Sequence, residues 1–155
     1  MPRNSLHSNF QKRILEHNAE KIMKHLSKTA TTIFNKCING LKEPGDHRRI
    51  GDADSGFMPL IVECVGTWGM GRIYSLAHYA EQQSDLMCDP EMTFLAGAGG
   101  QVFPLTYRND FIGIDQVAAE PNDTGDGVRY SARLQAELCT FAAQWLKNIN
   151  EQQDL

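Results

Sequence analysis

MPLIVECV (58–65), GTWGMG (66–71) and RIYSLAHY (72–79) decide the fold. Two apolar runs rich in Val, Ile, Leu and Tyr flank a segment with three glycines, the pattern of two strands joined by a tight turn. Strands joined so closely pair antiparallel, because a parallel return needs a crossover of about a dozen residues or more. The grammar repeats downstream: residues 91–96 and 101–107 flank GAGG (97–100), and residues 111–118 offer a fifth strand after RND (108–110). PNDTGDG (121–127) then reads as a loop.

Helices are expected on either side of this strand-rich region. Downstream, Ser131 is a suitable N-cap, and Leu134, Leu138, Phe141, Trp145 and Ile149 step by three or four, which predicts an amphipathic helix over 131–150. Upstream, Ser8 and Gln11 fit a capping box, Leu15, Ala19, Ile22, Leu26, Ile33 and Cys37 form one stripe, and Gly40 suits a helix end. A long helix over 8–39 is therefore expected, with a break near Thr29, Thr31 and Thr32. Residues 41–56 read as a polar connector. The predicted fold is one α+β domain over 1–155, with an antiparallel sheet of four to five strands (57–120) flanked by a long N-terminal helix and an amphipathic C-terminal helix.

The chain has 155 residues, 41% hydrophobic and 22% charged, which is the composition of a soluble globule. No run of about 18 apolar residues offers a membrane span, and MPRNSLHSNFQKR (1–13) has no apolar core of a secretory signal, so a cytoplasmic protein is expected. Cys37, Cys64, Cys88 and Cys139 are widely spaced and read as reduced thiols rather than as a zinc site.

The net charge of -4 is unevenly divided. Residues 1–49 carry ten bases and four acids, a balance of +6, while residues 50–155 carry five bases and fifteen acids, a balance of -10. Lys21, Lys24 and Lys28 are spaced to share a helical ridge, extended by Lys12 and Arg13. That basic surface suits a nucleic-acid backbone, or neutralises the acidic remainder of its own domain or of a second copy in a homodimer.

The densest polar constellation is HYAEQQSDLMCDPEM (78–92), read as an acidic loop between two strands. Asp85, Asp89 and Glu91, with Trp68 as an apolar anchor at its hairpin tip, suit a protein partner. His78, Glu81, Asp85 and Asp89 alternatively suit a divalent metal in a hydrolase or nuclease, because carboxylates and imidazole are the ligands such ions take. Solvated turn chemistry accounts for the same residues without any reaction. The chain lacks a GK[ST] phosphate loop, a GxSxG elbow and an HExxH helix, so no cofactor and no catalytic residue are expected.

The run from Met58 to Tyr107, with MPLIVE, SLAHYAEQQSDLMCDPEMTF and PLTYRNDFIG, and the closing FAAQWLKNI, resembles an uncharacterised small-domain family encoded on bacterial plasmids, phages and integrative elements. The resemblance covers roughly residues 57–150, and its most specific part is HYxEQxxDLMxDPEMxF (78–94). It implies a non-enzymatic mobile-element protein that binds a host or defence-system protein, in the manner of anti-restriction or anti-CRISPR inhibitors. It supplies no catalytic residue.

Overall fold

The computed structural model describes residues 20, 22–124 and 127–155. Within them, strands and helices follow in the order α1 (Lys28–Ile38), β1 (His47–Ile50), β2 (Leu60–Trp68), β3 (Gly71–Gln82), β4 (Asp85–Ala96), β5 (Val102–Asn109), β6 (Ile114–Val117), β7 (Ala119–Pro121), β8 (Val128–Tyr130) and α2 (Ala132–Gln153). A 3₁₀ turn at Ala53–Ser55 sits between β1 and β2.

The fold is α+β, as expected, but the antiparallel sheet has six strands in the simple order β1 to β6, not four or five. The strand missed in the polar connector is β1, whose sequence HRRI has one buried residue, Ile50. Such a short basic edge strand carries no alternation to read. The β7–β8 pair forms a separate two-stranded ribbon, so Pro121, read as the start of a loop, is a strand residue opposite Val128.

The N-terminal helix is also shorter than expected. It begins at Lys28, where the Ser27 hydroxyl caps the Ala30 N–H at 3.2 Å. Residues 24–27 are not helical because their donors are spent elsewhere: Lys24 N–H reaches Gln135 Oε1 and Leu26 N–H reaches Val102 O, each at 2.8 Å. Thr29, Thr31 and Thr32 lie inside the helix, so the break falls upstream of them. The rest of the expected 8–39 helix, residues 8–19 and Lys21, lies outside the described residues. At the other end, the Arg48 guanidinium donates to Lys36 O and Asn39 O, satisfying carbonyls that a helix terminus leaves open.

Both helices pack on one face of the sheet. Ala30, Ile33, Phe34 and Cys37 of α1 are buried at the spacing of one helical face. The C-terminal helix begins after Ser131, whose hydroxyl accepts Leu134 N–H, and buries Leu138, Ala142, Trp145, Leu146 and Ile149. Phe34 sits at the centre, its ring 5.2 Å from Phe94 and 6.0 Å from Tyr74. Cross-strand partners share a face. Ile73, Leu95 and Phe103, directly opposed in register, therefore lie on the other side from Tyr74, Phe94 and Val102. There they join Met23, Leu105 and Ala119 in a second, smaller cluster.

Candidate functional site

Strands β3 and β4 outrun their neighbours. Their mutual register continues to Gln82↔Asp85, whereas β2 pairs with β3 only as far as Ala77 and β5 pairs with β4 only as far as Glu91. The strand pair beyond them, Tyr79–Gln82 against Asp85–Cys88, projects as a two-stranded arm. The segment read as an acidic loop is thus a β-hairpin. Gln83 and Ser84 make its turn at φ 52° and 69°, the left-handed pair that a two-residue hairpin turn of type I′ requires.

The arm carries Glu81 and Asp85 and no Lys or Arg. Residues 81–86 are all exposed, and Leu86 keeps 69% of its surface in solvent. Its root is tied to the β5–β6 turn. Asp110 N–H donates to Cys88 O at 3.0 Å, Cys88 N–H donates to Asp110 Oδ2 at 2.8 Å, and Arg108 pairs with Asp110 Oδ1 at 2.8 Å. The Cys88 N–H first, and then the Arg108 guanidinium, hold the Asp110 carboxyl below its ordinary range.

At the arm's root, between the sheet and α2, lies a cleft of about 420 Å³. Phe57, Met58, His78, Asp89, Trp145 and Gln152 are among the residues that line it. The His78 ring meets the Trp145 indole edge to face at 5.5 Å, and its Nε2 is buried without a hydrogen-bond partner among the described residues. Burial pushes the His78 imidazole down, against an opposing pull from the Asp89 carboxylate. Asp89 accepts a hydrogen bond from Asn109 Nδ2 at 3.1 Å.

The residues singled out in the sequence do not converge on one surface. Asp85 and Glu81 are on the arm, while His78 and Asp89 share the cleft. Glu91 belongs to the sheet face away from the helices, where it accepts from Ser75 Oγ at 3.1 Å and Tyr79 Oη at 3.3 Å. The Tyr79 phenol is pushed up to about 12, by burial first and then by Glu91. Trp68 is half-buried and packs back on the second cluster. The putting of Glu81 and Asp85 on the arm separates them from His78 and Asp89, and among the described residues no three His, Cys, Asp or Glu side chains are grouped to hold a metal ion.

Lys12, Arg13 and Lys21 lie outside the described residues. Lys24 and Lys28 are exposed, but the chain between them is not helical, so they form no helical ridge. Among the described residues no helix is long and apolar enough to cross a membrane. The four cysteines are free thiols, with Cys37, Cys64 and Cys88 buried and Cys139 half-buried.

Sequence reasoning missed Leu86, hidden inside an acidic segment, and the cleft residues Phe57, Met58, Trp145 and Gln152. Trp145 gave a signal only as part of the apolar stripe of α2.

Residues 21–155 match the model of a family described as a domain of unknown function, DUF6908. No curated protein and no solved structure matches the chain.

Proposed function

The chain belongs to the DUF6908 family, a domain of unknown function, and we propose that it is a non-enzymatic binding protein whose β3–β4 arm engages a basic groove on a partner protein. The role that goes with this is inhibition of a host defence protein, in the cytoplasm, by a product of a mobile genetic element. The single observation that carries the reading is the arm itself: a two-stranded projection beyond the sheet with Glu81, Asp85 and Leu86 exposed. A rigid strand pair ending in two carboxylates and one large apolar side chain combines steering charge with an anchor. The balance of -10 over residues 50–155 adds a long-range attraction to the same kind of partner.

The test is a tagged retrieval from a nuclease-treated bacterial lysate, run in parallel with the wild-type chain and a Glu81→Lys, Asp85→Lys, Leu86→Asp variant. One stoichiometric protein held by the wild type and lost by the variant supports the reading. Equal retention by both chains overturns it, and recovery that disappears with nuclease treatment moves the contact to nucleic acid.

A further inference from the structure

The cleft at the arm's root is distinct from the arm's exposed end, and its chemistry is one-sided. Asp89 contributes a carboxylate and, among the described residues, no Lys or Arg lines the cleft. Among the described residues, Asp89 takes part in no ion pair; its one side-chain hydrogen bond comes from the neutral amide of Asn109. A half-buried carboxylate without a counter-charge is costly, and the partner that would offset the cost is a cation. His78 is 93% buried, as its 7% exposure shows, and its Nε2 lacks a partner. Among the described residues that nitrogen's hydrogen-bonding capacity is unmet. Trp145 supplies the indole ring that best attracts a cation. Phe57 and Met58 leave 45% and 39% of their surfaces exposed beside the opening, apolar cover for a short aliphatic stem.

We propose that this cleft binds a small organic cation, a guanidinium or ammonium group on a short apolar stem, with Asp89 as its counter-charge and Trp145 as its aromatic wall. The same chemistry belongs to a free amine or guanidine and to a Lys or Arg side chain of another protein. The inference does not rest on the partner-binding reading of the arm.

The experiment follows Trp145 emission in a Trp68→Phe background, which leaves Trp145 as the only tryptophan. Butylguanidinium and butylammonium are titrated against butanol and butyrate, and a capped Gly-Arg-Gly peptide is titrated separately. The expected result is a saturable change with the cations alone, weakened about tenfold or more by Asp89→Asn, which keeps an oxygen for Asn109. Tighter binding of the peptide than of butylguanidinium assigns the site to a protein side chain; the reverse assigns it to a free molecule. Gln152→Glu adds a second carboxylate at the exposed rim and should tighten cation binding, a check that holds even if Asp89→Asn fails to fold. No saturable response to the cations, an equal response to butanol, or a Gln152→Glu variant that binds no tighter overturns the proposal. The arm variant Asp85→Lys should leave the titration unchanged.

Discussion

The side chain of Gln135 clamps Lys24 to the sheet: its Oε1 accepts the Lys24 N–H at 2.8 Å, and its Nε2 donates to Pro104 O at 3.0 Å. Gln135 is fully buried, with 0% of its surface exposed. The amide therefore joins α2, β5 and the chain entering α1 through two bonds, one partly buried and one fully buried. Gln135→Leu is close in volume but leaves a partly buried donor and a buried acceptor unpaired, at a cost of about 2–4 kcal/mol. The expected outcome is a lower urea midpoint with an unchanged slope. A midpoint equal to that of the wild type would mean that water reaches both groups.

His78 makes the fold acid-sensitive. Its folded pKa lies below the ordinary 6.5 because burial disfavours the imidazolium, an effect that Asp89 opposes only in part. A group whose neutral form is favoured in the folded state contributes its stability above the unfolded value and loses it as pH falls through the folded one. Stability should thus be complete above pH 6.5 and decline on acidification below it. Asp46 and Asp110, whose folded values fall below 3.8, contribute stability above that value and lose it only in a more acidic window. His78→Gln should flatten the denaturant midpoint between pH 6.5 and 3.8, and an undiminished slope in that variant would assign the sensitivity to another group.

The parts of this architecture that were legible in the sequence are those that local chemistry dictates. Ser131 and the stripe from Leu138 to Ile149 predicted α2 because a cap and a buried face suffice to define a helix. The core of β2 and β3 was legible for the same reason, through its apolar runs and the glycines between them. The start of α1 was not, because it depends on Leu26 bonding to Val102 and Lys24 to Gln135, residues remote in sequence. The first half of β4 was hidden because Asp85, Asp89 and Pro90 look like turn residues, although Asp85 and Asp89 lie in a paired strand. The cleft was illegible as a site. Phe57 and Met58 reach it from before β2, Asp89 from β4 and Trp145 from α2, and only the tertiary fold brings them together.

Burial should also silence the thiols. Cys37 and Cys139 are both pushed up to about 11, in each case chiefly by desolvation, with nearby cations pulling weakly the other way. At neutral pH the thiolate fraction is then about 10⁻⁴, too small for rapid nucleophilic attack. Cys139, which is half-buried, should react slowly with an aromatic disulfide reagent and about tenfold faster per pH unit of alkalinity. Cys37 should be labelled only on unfolding. Fast modification of Cys139 in the folded protein at neutral pH would contradict a thiol raised by desolvation.

The arm's turn stores a conformational cost that can be removed. Gln83 and Ser84 both occupy the left-handed region, at φ 52° and 69°, and neither is a residue that favours it. Type I′ turns select Asn-Gly because Asn tolerates this conformation and Gly lacks the Cβ that crowds it. Both side chains are exposed, so replacing them disturbs no packing. Gln83→Asn with Ser84→Gly should therefore stabilise the protein by about 0.5–1 kcal/mol, after allowance for the extra freedom glycine gives the unfolded chain. Thermal and urea unfolding would register the gain as a higher midpoint. The substitution leaves Glu81, Asp85 and Leu86 in place, so an arm that binds as a rigid projection should hold its partner at least as tightly in the variant. A loss of stability would show that the turn adopts another conformation in solution, and a loss of binding alone would show that Gln83 or Ser84 itself meets the partner.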